Sequence, residues 1–234
     1  MSEEDALLRA ICEHPDEDTP RLVFADWLSE QGGPVNAAWA NGIRAQVWLA
    51  RGATDVAIAQ SSKVFDSNYG REKLYERLGL PEYVSQWERG FPVHATAPFH
   101  QLSEAWPRLA FRVPIRWLHV YEVSEEHAAE FVAWPALSVL IELELGAVWE
   151  AVPTPEIISF LANCAALRGL KSLILRDALV NEATATVLLD SPHLVGLEAL
   201  HLSIESTTDA LSLALKSRLV ARFGSEVFAD PIPF

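Results

Sequence analysis

Between Trp87 and Phe228 the chain repeats one cadence, a short alternating apolar run followed by a stretch able to form a helix. The clearest copies are Leu137-x-x-Leu140-x-x-Leu143-x-Leu145, Leu167-x-x-Leu170-x-x-Leu173-x-Leu175 and Leu194-x-x-Leu197-x-x-Leu200-x-Leu202. Two shorter copies precede them, Phe91-x-Val93-x-Ala95 and Ile115-x-x-Leu118-x-Val120. Anchored on Val93, Leu118, Leu143, Leu173 and Leu200, the steps are 25, 25, 30 and 27 residues, the spacing of leucine-rich repeats. One such unit cannot bury its apolar edge alone, so units must stack. The expected fold is α/β: a helical cap followed by a short leucine-rich-repeat-like solenoid with a curved parallel sheet, its inner face left for a partner. Helices are expected at Pro98–Ala110, Ser124–Trp134, Thr154–Ala166, Asn181–Ser191 and Thr207–Arg222, with Ser124, Thr154 and Asn181 where an N-cap side chain is wanted. A last short strand is expected near Phe228.

The residues before this cadence read as helical throughout, which sets the expected domains at 1–85 and 86–234. Glu3 to Glu13 has Ser2 as its cap and places Ala6, Leu7, Ala10 and Ile11 on one side. His14-Pro15 breaks that helix, and Thr19-Pro20 signals the start of a second, carrying Leu22, Val23, Ala25, Trp27 and Leu28. Gly32-Gly33-Pro34 ends it. A third runs from Val35 to Ala50 with Ala38, Trp39, Ile43, Val47 and Leu49, weakened in its middle by Gly42, and Asp55 to Leu80 adds one or two more.

Charge narrows the function classes. A net charge of −14 argues against nonspecific nucleic-acid binding, which needs a basic field, and suits a basic partner. Met1 to Gln31 holds nine acids against Arg9 and Arg21, a net of −7, which reads as a solvated acidic face. Cys12 and Cys164 stand far apart without metal-type pairing, so the expectation is a cytoplasmic protein with reduced thiols. No apolar run approaches the roughly 18 residues of a membrane span.

The segment Asp5-Ala6-Leu7-Leu8-Arg9-Ala10-Ile11-x-x-His14-Pro15-Asp16-Glu17-Asp18-Thr19-Pro20-Arg21-Leu22-Val23-Phe24-Ala25-Asp26-Trp27-Leu28 resembles the bacterial repeat-companion domain, a helical module found beside leucine-rich repeats. The likeness covers about the first 45 residues, and Trp87-Glu88-Arg89-Gly90-Phe91 and Arg222-Phe223-Gly224 share it. It implies architecture, a helical cap on repeats, and carries no catalytic motif to transfer. After Gly33 the chain departs from that pattern, with Pro34-Val35-Asn36-Ala37-Ala38-Trp39 where the family commonly has a Pro-x-Arg-Ala-Glu-Phe-Ile-Arg-type helix. In Asp26-Trp27-Leu28, Trp27 and Leu28 are expected to anchor the cap and Asp26 to accept from Arg21 or a helix N-terminus. His14 reads as a turn residue.

No GxGxxG, GxxxxGK[ST], HExxH, GxSxG or CxxC signature is present, which argues against an enzyme, and both cysteines read as small core residues. No cofactor is expected. In a period-two strand the residues between buried leucines face the inner surface. That places Pro92, His94 and Thr96 on the first strand, Trp117, His119 and Tyr121 on the second, and Glu142, Glu144 and Gly146 on the third. Ser172, Ile174 and Arg176 follow on the fourth, and Ala199, His201 and Ser203 on the fifth.

The reading is a noncatalytic adaptor or specificity subunit that holds another protein or peptide, basic in character, on this face. Trp117, Tyr121 and Ile174 would supply contact area, oriented by His119, Glu142, Glu144, Arg176 and His201. The alternative is a metal-binding protein or metal-dependent enzyme, since His94, His119 and Glu144 on adjacent strands about 4.8 Å apart could converge on one divalent ion. A self-associating subunit pairing through terminal strand edges is a third reading. Trp134 and Trp149 are expected to pack in the core or at its rim.

Overall fold

The computed structural model describes residues 2–56, 60–61, 68–146, 152–202 and 211–229. Trp149, Ser203 and the start of the helix expected at Thr207–Arg222 fall outside them. The chain forms two compact units, residues 1–95 with 106–115 and residues 96–105 with 116–234. It is a mixed α/β protein with a six-stranded, mostly parallel sheet in sequence order β1-β2-β3-β4-β5-β6.

The first unit begins with α1 (Glu3–Glu13), opened by a reciprocal cap in which Ser2 and Asp5 each accept from the other's backbone N–H. Helix α2 (Asp18–Gln31) starts just ahead of the expected Thr19-Pro20 signal. Gly32 and Gly33 at φ +70° and +84° turn the chain into α3 (Pro34–Ala50), whose first residue is the proline. Gly42 does not interrupt α3; it lies on the buried side with Trp39, Ile43 and Val47. Helix α4 spans Asn68–Leu78.

The expectation of helix throughout the first 85 residues fails at its end, because Val84–Glu88 is a strand, β1, paired antiparallel with β2 (Phe91–Pro98). The connection is a two-residue turn with Arg89 and Gly90 both at positive φ (+48° and +84°), the geometry that matches the twist of two antiparallel strands. No apolar alternation marks β1. It is held by its pairing with β2 through Val84, Ser85, Trp87 and Glu88, and its Val84 is fully buried.

A cluster of rings forms the heart of this unit. Phe24 meets Trp39 edge-on at 4.9 Å, Trp39 meets Phe91 at 5.4 Å, and Trp27 stacks on Phe24 at 5.6 Å. The Trp39 indole N–H donates to the Gly90 carbonyl (2.8 Å), and the Gly90 N–H donates to the Gln46 amide oxygen (2.6 Å). A Cβ on Gly90 would lie 2.3 Å from Ile43 Cγ1 and 2.9 Å from its Cα, so the hairpin tip fits against α3 only as glycine. Asp26 pairs with Arg44 rather than Arg21: Arg44 reaches Asp26 (2.6 Å), the Ala25 carbonyl (3.1 Å) and Ser29 (3.0 Å), while Arg21 donates to the Glu17 carbonyl (2.9 Å). Five positions apart on α2, Arg21 and Asp26 face different sides of that helix, whereas α3 brings Arg44 to Asp26.

The second unit is built on β3 (Trp117–Tyr121), β4 (Glu142–Gly146), β5 (Ser172–Leu175) and β6 (Ala199–Leu202), all parallel. The register aligns Leu118, Leu143, Leu173 and Leu200 in one row and Val120, Leu145, Leu175 and Leu202 in another. Each of these eight side chains is at most 1% exposed. The strand-to-strand steps repeat down to single bonds: Ile141 N–H donates to Arg116 O (2.9 Å), Lys171 N–H to Ile141 O (2.8 Å), and Glu198 N–H to Lys171 O (2.8 Å).

Helices α5 (Phe99–Leu109), α6 (Ala128–Val132), α7 (Pro155–Ala162), α8 (Glu182–Asp190) and α9 (Leu213–Phe223) follow the strands, and tight 3-10 turns at Pro135–Val139 and Ala165–Gly169 lead into β4 and β5. Thr154 and Asn181 cap α7 and α8 as their positions suggest; Ser124 instead holds His127 Nδ1 at 2.7 Å. Trp134 is buried against Phe99 (5.6 Å) and Phe131 (6.3 Å). The expected terminal strand is a 3-10 turn, Ser225–Phe228, opened by Gly224 at φ +84°. Only Val227 there is buried, and the local bonds Val227 N–H to Gly224 O and Ala229 N–H to Glu226 O use the groups a strand would need for pairing.

Candidate functional site

The face of β3–β6 opposite the two leucine rows carries the residues singled out by alternation. Its middle row is His119, Glu144, Ile174 and His201, matched strand by strand. Trp117, Glu142, Ser172 and Ala199 form the row before it, and Tyr121 pairs in register with Gly146. Trp117, His119, Tyr121, Glu142, Arg176 and His201 are half-buried, so they present surface without standing free of the fold.

Two members of the middle row form its floor. Ile174 is 3% exposed and Glu144 9%, so neither offers much area to an incoming molecule. Glu144 is held by Arg176, whose Nε donates to its Oε1. Arg176 reaches it because its own N–H extends the β4–β5 ladder, donating to Leu145 O at 2.8 Å. The pairing is charge-assisted and half shielded from water, which favours a fixed geometry. The two charges expected to face a partner therefore satisfy each other, Arg176 lying two positions beyond Ile174, which pairs in register with Glu144.

His119 sits beside this pair. Its Nε2 lies 3.7 Å from Glu144 Oε1, too far for a hydrogen bond, and has no hydrogen-bond partner in the described structure. Gly146 makes room for the ring: a Cβ there would lie 2.9 Å from Nε2. Burial holds the imidazole below its usual pKa of 6.5, Glu144 opposing and Arg176 adding to the effect, so the site favours the uncharged ring. The ring meets Tyr121 edge-on at 6.0 Å. His201 Nδ1 is likewise buried without a hydrogen bond. Burial raises the Glu142 carboxyl above its usual 4.5, Ser172 opposing by a hydrogen bond and Glu144 adding to the rise. Two carboxylates, two imidazoles and one guanidinium thus share this face.

The metal alternative finds no support in this geometry. Among the described residues no group of three or more His, Cys, Asp or Glu side chains is placed to hold an ion. Glu144 is engaged by Arg176, and His94 Nδ1, in the first unit, lies 3.0 Å from the Ser85 hydroxyl across the β1–β2 pair. Neither cysteine is poised as a nucleophile: burial pushes the Cys12 thiol up to about 12, and buried Cys164 donates to the Val132 carbonyl at 3.3 Å. His14 caps α1, with its Nδ1 3.3 Å from Glu17. No described helix is long and apolar enough to cross a membrane. No protein-family model matches the chain, and neither a curated protein nor a solved structure is detectably similar to it.

Proposed function

We propose that the second unit is a short leucine-rich-repeat-type recognition module, and that the protein is a noncatalytic adaptor or specificity subunit. A protein or peptide segment binds across β3–β6. The single observation that carries this reading is the register: four parallel strands seal their leucines behind the sheet and align half-exposed aromatic and polar side chains in front of it. Trp117 and Tyr121 supply rigid contact area on β3. Glu142, whose charged form burial disfavours, is eased by the approach of a Lys or Arg of the partner, and the net charge of −14 favours the approach of such a basic segment over nucleic acid. The Glu144–Arg176 pair fixes the floor on which that segment rests.

The helices of the first unit are in keeping with the resemblance of Asp5–Leu28 to the repeat-companion domain, and the free cysteines accord with a cytoplasmic setting. Photo-crosslinking in the native cell tests the reading, with a photoreactive residue in place of Tyr121 and, separately, of the exposed Phe160 on α7. One protein captured at position 121 and not at 160, whose crosslinked segment binds the purified chain as a synthetic peptide and loses affinity with Trp117→Ala and Glu142→Gln, supports it. Equal capture at both positions, or a peptide indifferent to both substitutions, overturns it.

A further inference from the structure

The first unit holds a cleft of opposite character to the rest of the chain. It has a volume of about 460 Å3 and is lined by Arg9 from α1, Leu78 at the end of α4, and Arg108, Phe111 and Arg112 from the end of α5 and the turn after it, with Asp5 the one acidic side chain among them. Three guanidiniums against one carboxylate leave it at +2, in a protein whose net charge is −14. Such a concentration of like charge is self-repulsive and asks for a counter-anion.

Two of the three guanidiniums are held in place. Arg112 Nη1 donates to the Leu78 carbonyl (3.3 Å), and Arg9 lies over the Phe111 ring with Cζ 4.6 Å from its centroid. Asp5 is turned to the α1 terminus: its carboxyl is held below the usual 3.8 chiefly by its bonds to Ser2, with Arg112 a lesser contributor. Arg9 and Arg108 have no carboxylate partner among the described residues. Phe111 is 49% exposed and with Leu78 provides an apolar wall beside the charges. Volumes of a few hundred Å3 with a few convergent polar groups are those of small-molecule sites, and planar guanidiniums match the paired oxygens of phosphate or carboxylate.

We propose that this cleft binds a small organic dianion, a phosphate or dicarboxylate head carried on a flat apolar body, with Arg9, Arg108 and Arg112 on the oxygens and Phe111 against the body. The site is independent of the sheet face of the second unit. Titration calorimetry on the full chain with phenyl phosphate, phthalate, phenol and inorganic phosphate tests it. One or both of the aromatic dianions should bind, the tighter identifying the head group as phosphate or carboxylate, and affinity should fall as salt is raised through about 0.15 M. Phenol and inorganic phosphate should each bind at least tenfold more weakly. Arg9→Gln with Arg108→Gln, both exposed, should weaken binding tenfold or more while far-UV circular dichroism stays unchanged, and Arg218→Gln, in the other unit, should leave it intact. Dissociation constants weaker than about 1 mM for both dianions, phenol binding as tightly as they do, or affinity unaltered in the double variant would overturn the proposal.

Discussion

The two units solve the problem of holding a chain together in different ways. The first depends on a few unlike parts locked across long stretches of sequence: Trp39 to the Gly90 carbonyl, Arg77 to Glu4 (2.7 Å), and Arg89 to the Asp16 carbonyl (2.9 Å). The second uses like parts, each strand bonding the next by the same pattern one unit further along. Stability in the first is therefore concentrated in particular atoms, whereas in the second it is shared along a row, approximately as a sum of neighbour interfaces.

The sharpest way to break this contrast is Gly90→Ala. The new methyl meets Ile43 backbone and side chain, and the residue stays at φ +84°, so overpacking and left-handed strain together should cost about 4 kcal/mol. Urea unfolding of the first unit's tryptophan signal measures it. A loss no larger than that of an ordinary surface change would mean the hairpin tip is not the lock described here.

Next in size, Leu173→Ala on the central strand β5 should cost about 3 kcal/mol through lost burial and an unfilled cavity. Amide hydrogen exchange should then rise in β4, β5 and β6 before β3. Uniform acceleration across all four strands would show that the second unit unfolds as one block and not by neighbours. A smaller effect belongs to Asn181→Ala, which removes the acceptor for the Thr184 N–H (3.0 Å) at about 1 kcal/mol, with Asp in the same position restoring most of it.

The smallest effects are those of pH on the sheet face. Because burial holds the His119 pKa below 6.5, the unfolded chain takes up this proton first. Stability is then present above about pH 6.5 and is lost as pH falls toward the folded value. Glu142 runs the other way: its raised pKa means the folded chain holds a proton the unfolded one has released, so its penalty applies at neutral pH and fades as pH falls toward 4.5. Urea midpoints across this range should show His119→Asn flattening the decline near pH 6, and Glu142→Gln stabilising at pH 7 with a benefit that shrinks in acid. A His119→Asn curve parallel to the parent would remove the buried-imidazole account.

The contrast also explains what could be read in advance. The leucine rows of β3–β6, and with them the inward or outward sense of Trp117, Glu144 and His201, follow from a period of two anchored by repeats, a signal redundant enough to survive its degenerate copies. β1 was hidden because its residues, Val84-Ser85-Gln86-Trp87-Glu88, carry no alternation, and Gln86 adopts a left-handed φ of +46°. The Asp26 partner was misjudged because helix packing, not sequence distance, brings Arg44 to it. On the sheet face, which residues point outward was legible and which of them neutralise each other was not, since Glu144 and Arg176 meet through the lateral stacking of units whose 32-residue separation shows no local pattern.

The near-identical bonding from Arg116 to Ile141 to Lys171 to Glu198 has a consequence for heredity. A gene segment of some 27 to 30 codons, the spacing of Leu143, Leu173 and Leu200, encodes one rung complete with its connections. In-frame duplication or deletion of such a segment would lengthen or shorten the ladder without redrawing any rung, so the width of this sheet is a quantity that recombination can alter in whole steps.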